Sequence, residues 1–176
     1  MILIFIAPPG AGKTTQSKLL EDKLNLKRIA TGEIFRAYFK DHASWFDYTK
    51  YAFENGVLCY DETINDLVKR YLPQNNYLLD GYPKTLPQAE YFNNRLTNLY
   101  RAIYIQVEKD VLIKRLYERE SNEKTIKSKL EIYEKQTAQL ILYYKNLDIL
   151  IEQDGSGTVE NVASELITKI KNSYNL

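Results

Sequence analysis

The segment with the clearest chemical signature is APPGAGKTT, residues 7–15. It follows an apolar run typical of a buried strand and precedes an amphipathic helical pattern, which is the context that a phosphate-binding loop requires. Its small residues let backbone N–H groups converge on phosphate oxygens, and the N-terminus of the following helix adds positive potential. Lys13 can reach the outer phosphates of a triphosphate, and a hydroxyl of Thr14 or Thr15 can ligate Mg²⁺. The segment therefore predicts a bound nucleotide without specifying a reaction.

Two further polar segments follow predicted strands. The segment TGEIFR, residues 31–36, comes directly after the second strand. The segment DGYPKT, residues 80–85, comes directly after the third strand, with Gln88 three residues further on. Because ligands of open parallel sheets bind beyond the carboxyl ends of the strands, both segments can face the phosphate loop.

Alternating strands and helices position these segments. Apolar and β-branched runs predict strands at residues 2–6, 26–30, 77–79, 102–107 and 149–151. Helical periodicity predicts helices at residues 13–24, 86–96, 110–118 with Asp110 as a cap, 124–144 and 158–171. A run of short helices is expected over residues 31–72, with Asp61 capping one of them. Five strands joined by helical crossovers predict a three-layer α/β fold of the P-loop NTPase type, with a five-stranded parallel sheet flanked by helices.

Length and composition limit the possible functions. The chain has 176 residues, which suits a single domain with a small inserted lobe. Its 24 Lys and Arg residues balance 23 Asp and Glu residues, which argues against a nucleic acid polymer as partner. The single Cys59 and the single His42 exclude an internal disulfide and a metal site built from several cysteines or histidines. Without a signal peptide or a membrane-length apolar run, the expected location is the cytoplasm, away from membranes.

In combination, these motifs resemble those of the adenylate kinases, within the nucleoside monophosphate kinases. The family pattern runs from a loop ending in G-K-G-T through T-G-D-x-x-R and G-x-L-V to D-G-F-P-R-T-x-x-Q. This sequence matches it in order at residues 12–15, 31–36, 56–59 and 80–88. The resemblance extends from Met1 to about Val162, and residues 153–157 are similar to the family's last strand and loop, beside the ATP adenine. It implies reversible transfer of a phosphoryl group from ATP to AMP, with Mg²⁺ as cofactor.

The resemblance also implies roles for individual residues. On the ATP side these are Gly10, Ala11, Gly12, Lys13, Thr14, Thr15, Arg115, Arg119 and Gly157. On the AMP side they are Thr31, Arg36, Leu58, Cys59, Gly81, Lys84 and Gln88. Thr15, directly or through water, and Asp80, through water, would bind Mg²⁺. The cations expected to act on the transferred group are Lys13, Lys84, Arg119 and Lys129.

The sequence departs from the family pattern at several of these places. Ala7 replaces the first glycine of the loop motif, and Lys84 and Lys129 each replace an arginine. Lysine supplies a point charge without the planar fork of arginine, so two-pronged contacts with phosphate are lost. The lid, approximately residues 119–124, is very short, whereas the inserted lobe that accepts the monophosphate spans approximately residues 31–72. We expect an active monomeric enzyme with modest turnover, because the charge is retained at both substituted positions.

Other functions are compatible with part of this pattern. Thr31 and Thr85 favour AMP, whereas UMP/CMP kinases typically have alanine and asparagine at the corresponding places. The lysine substitutions and the short lid would also suit a nucleotide-binding regulatory protein with weak or lost kinase activity. An ATPase is disfavoured, because the acceptor-phosphate residues Arg36 and Lys84 would then have no purpose.

Overall fold

A computed structural model of the protein describes residues 1–41, 61–118 and 122–176. In this part of the chain, a sheet of five parallel strands runs in the order β2-β3-β1-β4-β5. The strands are β1 (Ile2–Ile6), β2 (Lys27–Ala30), β3 (Tyr77–Asp80), β4 (Arg101–Gln106) and β5 (Leu150–Asp154). The α/β architecture predicted from the sequence is confirmed.

Helices cover both faces of this sheet. They are α1 (Lys13–Leu24), α2 (Thr31–Asp41), α3 (Asp61–Lys69), α4 (Leu86–Asn93), α5 (Lys109–Tyr117), α6 (Glu123–Ile132), α7 (Gln139–Asn146) and α8 (Val159–Ser173). A π-helical turn, Tyr133–Thr137, separates α6 from α7.

The side chains of β1 alternate between the two faces of the sheet, and this explains why helices pack on both faces. All five residues of this strand are buried, and successive side chains point to opposite faces. Ile2, Ile4 and Ile6 join a cluster that includes side chains of α3, α4 and α7, whereas Leu3 and Phe5 join a cluster with α1, α5 and α8. A strand buried on both faces has no room for polar side chains, so the chemistry is confined to the loops at its carboxyl end.

The sheet topology places a crevice beside β1. Strand β3 lies next to β1 on one side, with β2 beyond it at the edge of the sheet. Strand β4 lies next to β1 on the other side, so the direction in which strands are added reverses at β1. Open α/β sheets bind ligands where the strand order reverses in this way. The loops after β1, β2 and β3 meet there, as the sequence predicted.

The last residue of α8 and the residue after it form hydrogen bonds with the amino ends of β4 and β1. The hydroxyl of Tyr174 donates to the carbonyl of Ile2 at 2.6 Å and accepts from its N–H at 3.2 Å. Arg101, at the start of β4, donates to the carbonyl of Ser173 at 2.8 Å. Arg101 is therefore a structural residue at the edge opposite the crevice.

The helix predicted over residues 124–144 is interrupted. The π-helical turn bonds the N–H of Ala138 to the carbonyl of Tyr133 at 2.9 Å, which adds one residue to that turn. The buried hydroxyl of Thr137 donates to the carbonyl of Lys84 at 3.0 Å, so the turn is tied to the loop after β3. A periodic apolar pattern does not reveal such a tertiary contact, and the prediction of one long helix was wrong.

Several predicted boundaries and caps also need correction. Helix α5 begins at Lys109 with Glu108 at its N-cap, so Asp110 lies in the first turn and is not the cap. Asp61 is the first described residue of α3, and its carboxylate accepts from the hydroxyl of Thr85 at 2.8 Å; its predicted role as a cap stays a prediction. Strand β5 extends to Asp154 because it pairs with β4 as far as Gln106. Within the described residues, no helix is long and apolar enough to cross a membrane.

The turn after β5 offers a stability test. Gly155 donates its N–H to the carbonyl of Gln106 at 2.8 Å, and an added Cβ would lie 2.5 Å from Ile105 Cγ2 and 2.7 Å from Val107 Cγ2. We expect Gly155→Ala to lower the free energy of unfolding by about 1–3 kcal/mol, because the β-branched neighbours must be pushed aside.

Urea denaturation of the purified variants measures this effect. The matched control is Gly157→Ala, whose Cβ would meet Val162 at an ordinary 3.5 Å and should change the free energy of unfolding by less than about 0.5 kcal/mol. Equal effects of the two substitutions would contradict the packing argument.

Candidate functional site

A cleft of about 600 Å³ opens at the carboxyl ends of β1, β2 and β3. Its walls come from the phosphate loop, the start of α2, the loop after β3, and the junction of α6 with the π-helical turn. The predicted site residues that line it are Gly10, Ala11, Gly12, Lys13, Thr14, Thr31, Arg36, Asp80, Gly81, Lys84 and Lys129. Segments that are distant in sequence therefore meet in one cavity.

The phosphate loop leads into α1 through a glycine with a left-handed backbone. Gly12 adopts a left-handed conformation, with φ of 85°, and occupies the N-cap of α1 without a capping side chain. The first N–H groups of α1 are therefore not covered by a cap and are available to an anion. Lys13 is the first residue of this helix, so its ammonium lies at the same end.

Asp80 is the centre of the charge network in the cleft. Its carboxylate is only 4% exposed and lies at the last position of β3. One oxygen contacts the ammonium of Lys13, and the other accepts from the hydroxyl of Ser17 at 2.8 Å and from Nη1 of Arg28 at 2.8 Å. The backbone carbonyl of Asp80 accepts from the hydroxyl of Thr31 at 3.2 Å. One residue thus joins α1, β2 and the start of α2.

The environment of Lys13 makes its charge depend on a negative partner. Burial, and then the positive charges of Lys84 and Arg28, lower the pKa of the Lys13 ammonium from its ordinary value. The carboxylate of Asp80 opposes this shift, because contact with an opposite charge favours the protonated form. The phosphate groups of a nucleotide would supply the same kind of negative charge.

The loop that carries Lys84 is held by hydrogen bonds with Gln88 and Asp61, two residues that do not line the cleft. Gln88 is buried and accepts the N–H of Lys84 at 2.7 Å, while its amide donates to Asp61 at 2.7 Å. The carboxylate of Asp61 also accepts from Thr85. Gln88 is not among the residues that line the cleft, so the contacts seen here position the loop, and its predicted contact with adenine stays a prediction.

The remaining predicted residues lie elsewhere or outside the described ranges. Thr15, Arg115 and Gly157 do not line this cleft, and of the two candidate hydroxyls only that of Thr14 borders it. Leu58, Cys59 and Arg119 fall outside the described residues, as do residues 42–60 of the predicted lobe, which include His42, and residues 119–121 of the predicted lid.

Sequence reasoning did not single out four residues that belong to this site: Ser17, Arg28, Tyr133 and Thr137. A signal existed for two of them. Ser17 follows Lys13 by four residues on α1 and so shares its helix face, and Arg28 shares a strand face with Ala30 just before the TGEIFR segment. The contact of Thr137 depends on the π-helical turn, for which the sequence contains no signal.

Oxygen ligands suited to Mg²⁺ are present at the wall. The carboxylate of Asp80 and the hydroxyl of Thr14 are hard donors of the kind that Mg²⁺ prefers. No group of three or more His, Cys, Asp or Glu side chains within the described ranges could hold a metal ion. The donor set therefore fits a Mg²⁺ that takes most of its ligands from phosphate and water and arrives with the nucleotide.

Comparisons with known proteins agree with this geometry. The family model for adenylate kinase matches residues 5–149. An adenylate kinase from Rickettsia bellii is 31% identical over 210 residues, covering 97% of this chain and 99% of that protein. An adenylate kinase from Prochlorococcus marinus is 34% identical over 177 residues, covering 96% of each chain. The chain belongs to the adenylate kinase family.

The two relatives differ in length from each other. The alignment with the Rickettsia adenylate kinase is longer than the 176 residues of this chain, so that relative has segments that this chain lacks. The alignment with the Prochlorococcus adenylate kinase spans nearly the same length as this chain. A short chain is therefore found elsewhere among adenylate kinases.

The bond between the π-helical turn and the Lys84 loop can be tested by removing one hydroxyl. Thr137→Val preserves the side-chain shape but leaves the carbonyl of Lys84 without this donor. We expect a loss of about 1–3 kcal/mol in the free energy of unfolding, together with reduced kinase turnover, because the loop loses an anchor.

Two companion variants make this test specific. Thr137→Ser keeps the hydroxyl and should retain most of the stability and turnover. Thr168→Val removes a comparable hydroxyl-to-carbonyl bond of 3.1 Å on the exposed face of α8 and should change the free energy of unfolding by less than about 0.5 kcal/mol. Wild-type turnover in Thr137→Val would refute the anchoring role.

Proposed function

We propose that this adenylate kinase family member transfers the terminal phosphoryl group of ATP to AMP, reversibly and with Mg²⁺, giving two ADP. The observation that carries the proposal is the convergence of two sets of cations in one cleft. Lys13 comes from the phosphate loop after β1, whereas Arg36 and Lys84 come from the segments after β2 and β3. A single nucleotide-hydrolysing site would need only the first set.

The chemistry requires positioning and charge neutralisation. An oxygen of the AMP phosphate attacks the terminal phosphorus of ATP, and the bond from that phosphorus to the bridging oxygen breaks, so that ADP leaves. The acceptor is already ionised at neutral pH, so no general base has to remove a proton. Catalysis then depends on holding two polyanions in line and stabilising the charge on the transferred group.

Each cation that the sequence motifs assign has a defined part in this proposal. Lys13 contacts and follows the migrating group, Arg36 and Lys84 hold the acceptor phosphate, and Lys129 acts on the transition state together with Arg119. Asp80 is assigned to Mg²⁺ through water, together with one hydroxyl: that of Thr15, directly or through water, as the resemblance implies, or that of Thr14, which borders the cleft. When bound, Mg²⁺ neutralises phosphate charge. Thr31, Gly81, Leu58, Cys59 and Gln88 are assigned to AMP, and Arg115 and Gly157 to ATP.

The proposed partners follow from the same reaction. They are ATP and a nucleoside monophosphate, with AMP preferred. A monomeric state, a cytoplasmic location, the acceptor lobe at approximately residues 31–72 and the lid at approximately residues 119–124 remain predictions.

Lys84 provides a direct test of the acceptor side. We expect Lys84→Ala to lower kcat/KM for AMP by about 100-fold, because one of the positive charges that line the cleft and are proposed to hold the acceptor phosphate is removed. Lys84→Arg should retain activity or exceed the wild type, since a planar fork adds a second hydrogen bond. Initial rates of ADP formation measure both variants.

The control for charge alone is Lys145→Ala. Lys145 is exposed in the last turn of α7 and does not line the cleft, so its removal should leave kcat/KM unchanged. An unchanged rate in Lys84→Ala would show that Lys84 does not bind the acceptor phosphate.

The acceptor is identified by a panel of AMP, dAMP, CMP, UMP and GMP with Mg-ATP, with diphosphate formation as the readout. We expect turnover to be highest with AMP. Turnover with CMP or UMP alone would identify a UMP/CMP kinase. Tight ATP binding without turnover on any acceptor would identify a regulatory protein. The lysines at positions 84 and 129 are the sequence feature that suits this alternative.

A further inference from the structure

Arg28 is the cation of the cleft that sequence motifs do not assign to any ligand. Its side chain is only 7% exposed, although it borders the cleft. Nη1 donates to Asp80 at 2.8 Å, Nη2 contacts the carboxylate of Glu33, and Nε lies 3.5 Å from a carboxylate oxygen of Glu21. All three nitrogens of the guanidinium therefore face carboxylates, which distinguishes Arg28 from a residue that waits for phosphate.

Each carboxylate oxygen of Asp80 contacts a different cation, so one cation can leave Asp80 while the other stays. The oxygen Oδ1 contacts Lys13, while Oδ2 accepts from Arg28 and Ser17. When Lys13 turns to the phosphates of a nucleotide, Oδ1 loses its partner. The contacts of Oδ2 with Arg28 and Ser17 then hold the carboxylate in place, and Oδ1 can face the water through which Asp80 is proposed to bind Mg²⁺.

Arg28 also compensates negative charge on the carboxylates that line the cleft. Asp80 and Glu33 both line the cleft, and uncompensated carboxylates there would repel a polyanionic substrate and compete with it for Lys13. The hydrogen bond from Arg28 holds the pKa of Glu33 below its usual range, so this carboxylate is ionised and paired. One guanidinium thus pairs with both acids that line the cleft, and Lys13 supplies the second positive charge at Asp80.

We propose that Arg28 is a positioning residue for phosphoryl transfer: it holds the Asp80 carboxylate in place at the end of β3 so that Lys13 can leave Asp80 for the phosphates. The inference rests on the proposed function. Arginine suits the task because its planar fork reaches two acids at once, whereas lysine offers one charged point. The backbone of β2 is fixed independently, since the N–H of Arg28 donates to Glu21 at 3.1 Å.

The test compares Arg28→Gln and Arg28→Lys with the wild-type full-length protein. Steady-state kinetics with Mg-ATP and AMP give kcat and both KM values, and urea denaturation gives stability. We expect Arg28→Gln to lower kcat by about 10- to 100-fold with both KM values within about threefold, because the residue acts through Asp80 and does not contact substrate. Arg28→Lys should recover at least about threefold of the lost kcat, since its ammonium restores one contact with Asp80.

The matched control is Arg101→Gln, which removes a structural arginine from the opposite edge of the sheet. It should lower stability without changing kcat. The inference is overturned if folded Arg28→Gln keeps wild-type kcat, if its KM values rise with kcat unchanged, or if Arg101→Gln lowers kcat as much. A wild-type protein without activity on ATP and AMP would instead overturn the proposed function and the inference with it.

Discussion

The cleft depends on one buried carboxylate. Asp80 stands at the end of β3, and its two oxygens join Lys13 and Ser17 of α1 to Arg28 of β2. Removing charges from water costs several kcal/mol for each ion, and buried pairs often contribute little to net stability. The network is therefore better understood as a device that fixes geometry. It joins the phosphate loop, the second strand and the end of the third strand at one side of the cleft.

The rest of the fold keeps that network at the edge of the sheet. Strands β1 and β3 are buried along their full length, so polar groups can occur only where these strands end. Parallel strands bring those ends to one side, and the change of direction beside β1 opens space between the loops. Three further residues hold the Lys84 loop: Gln88 and Asp61, which do not line the cleft, and Thr137, which does.

The features that could be predicted from the sequence are those set by local pattern. The run of β1, the Gly-Lys-Thr loop and the order of the motifs depend on neighbours in the chain, and they indicated both the fold and most of the residues in the cleft. The π-helical turn and the role of Arg28 depend on partners 53 and 52 residues away, Lys84 and Asp80. Alternation along β2 places Arg28 on the same face as Ala30, but its carboxylate partner at the end of β3 becomes evident only when β3 is paired beside β2.

The near-neutral charge of the chain has a different meaning once the cleft is known. A net charge of +1 conceals a local excess, because Lys13, Arg28, Arg36, Lys84 and Lys129 all border the same cavity. If none of that charge were compensated, repulsion among the cations would itself be a source of strain, and the pKa of Lys13 already responds to Lys84 and Arg28. Asp80 and Glu33 relieve this repulsion in the absence of ligand; incoming phosphates then replace Asp80 as the negative partner of Lys13, while Arg28 keeps its two carboxylates. The lysines at positions 84 and 129 preserve the charge of the cleft while giving up the two-pronged geometry of arginine. In this protein, precise orientation must therefore come from the carboxylates and hydrogen bonds behind the cations as much as from the cations themselves.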